Sequence, residues 1–70
     1  MKEIKITTEY ITLGQFLKHV NLIGTGGEAK FFIQENTIFV NDDLENRRGR
    51  KLYPSDRISI VNHGDFKIVL

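Results

Sequence analysis

The sequence predicts a small α+β domain in which two short helices pack on a small, twisted, mostly antiparallel sheet. The chain has 70 residues, which suffices for one domain only. Two capping boxes, each followed by apolar residues at helical spacing, lie between residues 12 and 35. Short stretches of alternating polar and apolar residues lie on either side. Because each helix is too short to persist alone in water, both must dock on the sheet.

The first strand and the first helix follow from local pattern. Residues 3–7 alternate polar and apolar, as a half-buried strand does. Thr12 and Gln15 have the spacing of a capping box, and Ile11 and Phe16 occupy the positions of a hydrophobic staple. The pattern predicts a helix over residues 12–20, and Asn21 to Gly24 form its end and a turn. The apolar face of this helix consists of Leu13, Phe16, Leu17 and Val20.

A second capping box is formed by Thr25 and Glu28, with an apolar face at Ala29, Phe32 and Ile33. The predicted helix runs over residues 26–35. Asn36 follows it, and we expect this residue to end the helix in the left-handed conformation.

Strands and turns account for the rest of the chain. Ile38–Val40 is a short apolar strand, Asn41–Asp42 a tight turn, and Leu44 part of the return strand. A polar arm follows, and the remaining elements are a turn at 53–56 with Pro54 at its second position, a strand over 57–62, a turn at 62–65 and a last strand over 66–70. We expect that last strand to pair with residues 3–7.

Composition excludes several classes of function. The chain has no cysteine, hence no disulfide or thiolate metal site. Its apolar runs are too short for a membrane span or a signal peptide, which favours a cytoplasmic protein. His19 and His63 lack a second ligand at metal-site spacing, and the acidic residues near 42–45 lack the calcium-loop pattern. Since neither Ser55 nor Ser59 is marked as a nucleophile, we expect neither an enzyme nor a cofactor.

Charge is distributed unevenly along the chain. Residues 1–46 carry four basic and seven acidic side chains, a net charge of −3, whereas residues 47–57 carry a net charge of +4. The four cations Arg47, Arg48, Arg50 and Lys51 lie within five residues, which we call the basic arm (47–51). They repel one another unless a polyanion or nearby acids neutralise them. The arm is therefore either a phosphate-binding segment or a solvated loop. In the second case, the acidic residues between Asp42 and Glu45 could pair with its arginines.

Residues 24–29 match the spacing of a dinucleotide-binding loop. That loop requires a preceding strand and a long βαβ unit, and this chain offers neither. The backbone of Thr25, Gly26 and Gly27 could still approach a phosphate closely at the start of a helix. The alternative is that the two glycines only permit a tight turn. Arginine forks bind phosphates, and Lys30 and Lys18 are further candidate cations. If the second helix and the arm lie on one face, Lys30 and the arm form a continuous positive surface, which favours structured RNA as the ligand.

With these segments in order, the chain resembles the RNA-binding domain named after ribosomal small-subunit protein S-four, and in particular the small standalone bacterial YaaA-type proteins. The segments that carry the resemblance are residues 11–17, 25–30, 38–41, 47–52 and 53–58. The resemblance implies two helices against a twisted sheet (the alpha-L motif), a family-like core over residues 11–61, and terminal strands flanking it within one domain (1–70).

The resemblance also implies that the helix start from Thr25 to Lys30 and the basic arm face structured RNA, including ribosomal RNA or ribosomal particles. Thr25–Gly26 replaces the Ser-Arg pair that is frequent in the family. Asn36, Asp42 and Ser55 stand where glycine is common. A protein-interaction module that docks an acidic partner is the alternative function. The RNA-binding hypothesis requires the arm and the start of the second helix to share one surface, whereas the alternative would use the arm or an exposed sheet edge.

Overall fold

A computed structural model describes residues 1–70 and contains seven strands and two α-helices. The second helix is preceded by a 3₁₀ turn over Gly26–Glu28. The element bounds are β1 Lys2–Lys5, β2 Ile11–Thr12, α1 Leu13–His19, α2 Ala29–Glu35, β3 Ile38–Val40, β4 Asp43–Leu44, β5 Lys51–Leu52, β6 Arg57–Ile60 and β7 Gly64–Val69. The predicted fold class is confirmed: two helices pack on a mostly antiparallel sheet.

The main sheet has five strands in the order β1-β7-β6-β3-β4. Its pairs are antiparallel except for β1 and β7, which run parallel with Ile4 beside Ile68. The expected pairing of the first and last strands is therefore confirmed. A second, two-stranded sheet joins β2 to β5, with Ile11 opposite Leu52.

The core lies between the helices and one face of the main sheet. The Phe16 ring of α1 meets the Phe66 ring of β7 edge-on, with 5.3 Å between centroids. Fifteen buried apolar residues form one cluster: Ile4, Ile6, Leu13, Phe16, Leu17, Ile23, Ala29, Ile33, Ile38, Val40, Leu52, Ile58, Ile60, Phe66 and Ile68. Both terminal strands thus contribute to the same core as the central elements.

Helix α1 begins and ends through local hydrogen bonds. The capping box is confirmed: the Gln15 backbone N–H donates to the Thr12 hydroxyl, and the Thr12 N–H donates to the Gln15 side chain. At the other end, Asn21 adopts a positive φ of 63°. The N–H groups of Asn21 and Leu22 then donate to the carbonyls of Lys18 and Leu17, which is a Schellman ending.

The second capping box is wrong. Thr25 makes no side-chain bond to a helix amide, because the second helical segment begins with a 3₁₀ turn. In this turn the Glu28 N–H donates to the Thr25 carbonyl. The Glu28 carboxylate accepts instead from the Gly24 N–H at 3.2 Å and the Thr25 hydroxyl at 3.5 Å. The predicted helix over 26–35 is therefore a 3₁₀ turn followed by α2.

The expected conformation of Asn36 is also wrong. Its φ of −129° and ψ of 153° place it in the extended region. The side-chain amide donates to the Phe32 carbonyl at 2.9 Å and so satisfies an acceptor that the helix end leaves free. The chain can then enter β3 directly, without a left-handed turn.

The turns predicted at 41–42 and 53–56 are confirmed, whereas the turn predicted at 62–65 lies over 60–63, because the His63 N–H donates to the Ile60 carbonyl and β7 begins at Gly64. Asn41, Asp42 and Ser55 have φ values of 51°, 71° and 77°. The first two residues form the β3–β4 hairpin turn, and Ser55 is the third residue of the 53–56 turn. Asp42 and Ser55 occupy two positions at which glycine is common in the family that the sequence resembles. Their positive φ angles explain this preference, because glycine adopts such angles most readily.

Candidate nucleic-acid interface

The basic arm is held against the start of α1 by backbone hydrogen bonds. The Leu13 N–H donates to the Arg50 carbonyl at 2.8 Å, and the Gly14 N–H donates to the Arg48 carbonyl at 2.9 Å. These amides belong to the first turn of a helix, where N–H groups have no acceptor within the helix. The arm supplies those acceptors and continues the β2–β5 pairing, so its backbone has a defined path.

Gly14 lies where α1, α2 and the arm meet. A Cβ at this position would lie 3.5 Å from the Arg48 carbonyl oxygen and 3.6 Å from the Ala29 Cβ. Both distances are ordinary contacts, so one methyl group fits but a longer side chain would press on the arm. The close approach of the arm to the helices thus depends on a small residue here.

The carboxylate of Glu45 neutralises part of the arm. Its side chain is only 5% exposed and accepts from Arg47 Nε at 3.0 Å, Arg47 Nη2 at 3.1 Å and Arg50 Nη1 at 2.7 Å. The backbone N–H groups of Asn46 and Arg47 donate to the same carboxylate at 3.1 and 3.0 Å. Glu45 is the single buried charged residue of the chain, and five hydrogen bonds satisfy it.

These contacts shift the ionisation of both partners. The side-chain hydrogen bond from Arg47 is the largest cause that lowers the pKa of Glu45 to about 2, while burial opposes this change and Arg50 adds to it. The same hydrogen bond raises the pKa of Arg47 above its usual value. The possibility that nearby acids pair with the arm arginines is therefore realised for Glu45, and two of the three arm guanidiniums are tied to it.

Arg48 has a different environment from its neighbours. With Lys30, Ile33, Gln34 and Asn46 it lines an open groove of about 680 Å³ between α2 and the arm. Neither Lys30 nor Arg48 forms an ion pair, since the three ion pairs of the chain involve Arg47, Arg50 and Arg57. The arm and the second helix thus share a surface, and the residues that line this groove include two cations and no acid.

The Thr25–Gly27 segment lies exposed at the start of the 3₁₀ turn. A Cβ on Gly26 would meet nothing within 4 Å, and one on Gly27 only the Thr25 hydroxyl at 3.9 Å. Neither glycine has a positive φ, so tight packing of the turn does not require them. The Glu28 carboxylate bonded to Gly24 places a negative charge at this end of the helix. Whether a phosphate approaches these glycines stays a prediction.

Lys51 contacts a pair of aromatic rings that no sequence motif predicts as part of a site. Its Nζ lies 4.9 Å from the centroid of the Tyr10 ring, and that ring packs at 5.7 Å against Tyr53. Gln34 and Asn46 were missed as well, because a lone amide carries no periodic or motif signal. The Tyr10–Tyr53 contact joins residues far apart in sequence, so only the β2–β5 pairing reveals it.

The histidines and acidic residues do not come together in a metal site. No group of three or more histidine, cysteine, aspartate or glutamate side chains is placed to hold a metal ion. The His63 ring packs against Phe32 at 5.5 Å, and His19 lies in the last turn of α1. No helix of the structure is both long and apolar enough to cross a membrane.

The sequence has relatives among known proteins. The S4-domain family model matches residues 4–69, so the chain belongs to the S4-domain family, and the resemblance to this RNA-binding domain is confirmed. A Bacillus subtilis (strain 168) protein called "Probable ribosome maturation protein RlbA" is 53% identical over 66 residues, covering 94% of this chain and 93% of that protein. No solved structure matches this chain significantly.

Proposed function

We propose that the protein is a non-enzymatic module that binds structured RNA at the surface formed by α2 and the basic arm. The groove that joins Lys30 to Arg48 carries this proposal, because it combines two unpaired cations with two side-chain amides. Cations bind phosphates irrespective of sequence, whereas amides can also bond to base edges. Membership of the S4-domain family supports the same ligand class.

The arm cations divide into two groups under this proposal. Arg48, Lys51 and Lys30 contact phosphates directly, since none of them is paired with an acid. Arg47 and Arg50 hold the arm in place through Glu45 and offer their remaining donors to the RNA. The Arg47 side chain is 70% exposed, which leaves it accessible from solvent. The backbone of Thr25, Gly26 and Gly27 adds a neighbouring approach for a phosphate.

The name of the Bacillus subtilis relative suggests the source of the RNA. That protein is called a ribosome maturation protein, and its sequence aligns with nearly the whole of this chain. We therefore propose ribosomal RNA, within a ribosomal particle in the cytoplasm, as the natural ligand. No contact in the structure favours the alternative, an acidic protein partner, over RNA.

Salt dependence of RNA binding tests the proposal. The affinity for an RNA hairpin would be measured by anisotropy over a range of KCl concentrations. Each lost phosphate contact lowers the steepness of log affinity against log salt by about 0.7–0.9. The variants Lys30→Ala and Arg48→Ala should each lower it by this amount, and replacing all four arm cations by Ala should flatten the dependence much further.

Lys67→Ala provides the matched control. Lys67 lies on β7 between the buried residues Phe66 and Ile68, so its side chain is on the sheet face opposite the core. The substitution Lys67→Ala removes one positive charge outside the proposed surface, so it should leave the slope of log affinity against log salt unchanged. Equal effects of Lys67→Ala and Arg48→Ala would contradict the proposal, as would hairpin binding with unaltered salt dependence in the four-cation variant.

A further inference from the structure

Two tyrosines form an open aromatic corner beside the arm. Tyr10 precedes β2 and Tyr53 follows β5, so the pairing of these strands brings the rings to 5.7 Å between centroids, tilted by 46°. Cross-strand packing explains why the rings touch. It does not explain why 36% of Tyr10 and 41% of Tyr53 stay exposed with the Lys51 ammonium over one ring.

The corner is basic on its Tyr53 side, whereas the Tyr10 side carries the acidic residue Glu9. Tyr53 lines an open groove of about 410 Å³ whose other lining residues are Arg47, Gly49, Arg50 and Lys51. Tyr10 lines a neighbouring groove of about 400 Å³ with Thr8, Glu9, Ile11 and Gln15. An aromatic surface with cations along one side suits a ligand that has flat rings attached to phosphates. A nucleobase on a sugar–phosphate strand is such a ligand.

Hydrogen bonds hold the backbone on both sides of the corner. The Tyr53 backbone N–H donates to the Asp56 carboxylate at 2.8 Å, and the same carboxylate accepts from the Asn41 side chain at 3.0 Å. The Tyr10 carbonyl accepts from the Thr8 hydroxyl at 2.8 Å. These hydrogen bonds hold the backbone on both sides of the ring pair, and the two rings pack against each other.

We infer that Tyr10, Tyr53 and Lys51 form a stacking site for an unpaired nucleobase of the bound RNA. Bases inside a duplex are stacked on each other and cannot reach such a site. The RNA class that fits this chain is thus a helix flanked by at least one unpaired nucleotide, as in a bulge, junction or loop. This inference rests on the proposed RNA-binding function and adds the requirement for an unpaired base.

Three hairpins of one stem sequence separate the two proposals. One ends bluntly, one carries an overhang of unpaired adenosines, and one carries an abasic overhang with the same charge. The adenosine overhang should increase affinity over the abasic overhang by roughly 5- to 150-fold, the range of base–aromatic stacking. The double variant Tyr10→Ala/Tyr53→Ala should lose this difference and keep the blunt-hairpin affinity, whereas Tyr10→Phe/Tyr53→Phe should retain it.

Intrinsic fluorescence gives a direct second readout. The chain contains two tyrosines and no tryptophan, so tyrosine emission reports on this corner alone. The adenosine overhang should quench that emission, and the abasic overhang should not. Phe31→Ala is the matched control, because Phe31 is an exposed aromatic residue on α2, away from the corner.

The outcomes distinguish the inference from the function on which it rests. Failure to bind any of the three hairpins would overturn the RNA-binding function itself. Binding of all three with equal affinity and without quenching would overturn only the stacking site. A loss of the base-dependent difference in Phe31→Ala, rather than in the tyrosine double variant, would overturn the assignment to Tyr10 and Tyr53.

Discussion

Glu45 is the residue on which the geometry of the basic arm most depends. Its backbone N–H donates to the Ile38 carbonyl at 2.9 Å, which directs the carboxylate toward the arm. Four cations in five residues would otherwise repel one another. A buried carboxylate with its hydrogen bonds satisfied offsets that repulsion at two of them, and leaves Arg48 and Lys51 unpaired.

We expect Glu45→Gln to lower the free energy of unfolding at neutral pH by about 1–3 kcal/mol, because hydrogen bonds to a buried charged group are lost. The loss should depend on pH. The folded-state pKa of about 2 lies below the ordinary value of 4.5, so the carboxylate stabilises the fold above about pH 4.5. This stabilisation is lost as the pH falls toward about 2. Urea unfolding at a series of pH values measures it.

Asp43→Asn is the control for that measurement. It makes the same change of charge at an exposed residue without an ion pair, and should shift stability by no more than about 0.5 kcal/mol. The difference between wild type and Glu45→Gln should shrink as the pH decreases. A difference that is independent of pH would show that the ion pairs of Glu45 contribute nothing specific.

Ser55 shows how a single backbone angle limits stability. Its φ of 77° is unfavourable for a residue with a Cβ. Ser55→Gly should therefore raise the free energy of unfolding by about 0.5–1 kcal/mol, the strain relieved being partly offset by the greater freedom of glycine in the unfolded chain. Ser55→Ala keeps the Cβ and should give no gain. Thermal unfolding of the two variants provides the test, and equal stability of both would contradict the strain argument.

At the scale of elements, the arm behaves as an extension of strand β5 that is clamped to helix α1. The amides of Leu13 and Gly14 donate to arm carbonyls, and the Thr12 capping box satisfies a further amide of the same helix. The first turn of α1 thus has two partners, its own cap and the arm. Such a clamp fixes where the arm cations stand relative to α2.

Gly14 variants test the clamp without changing charge. Gly14→Ala should leave the arm in place and raise stability by up to about 1 kcal/mol, since alanine favours the helix more than glycine does. Gly14→Leu should press on the Arg48 backbone, lower stability by about 1–3 kcal/mol and weaken hairpin binding. Anisotropy and urea unfolding measure both effects. Equal RNA affinity of the two variants would show that the position of the arm does not matter for binding.

At the scale of the whole molecule, the sheet separates two kinds of surface. The helices and the arm cover one face and assemble the basic groove there, while Lys67 and Phe39 belong to the other face. The terminal strands β1 and β7 form a parallel pair at one edge of the sheet, and their buried side chains belong to the shared core. The net charge of +1 conceals the basic arm, because residues 1–46 carry a net charge of −3 and residues 47–57 one of +4.

Much of the fold was predictable because its signals are local. The Thr12–Gln15 capping box, the Asn41–Asp42 turn and the Ser55 turn each depend on hydrogen bonds or backbone angles within a few residues. The prediction of a second capping box was wrong although its sequence signal is equally local. Thr25 and Glu28 have the right spacing, but the segment forms a 3₁₀ turn in which the Glu28 carboxylate accepts from the Gly24 N–H.

By itself the sequence determined the helices, the turns, the family and the presence of a basic arm, since these follow from spacing along the chain. Only the tertiary structure decided which cations are free. The burial of Glu45, the clamp of the arm on Gly14 and the meeting of Tyr10 with Tyr53 all depend on segments brought together by the sheets. Contacts between residues distant in sequence arise from shared burial and strand register, and neither leaves a pattern in one segment alone.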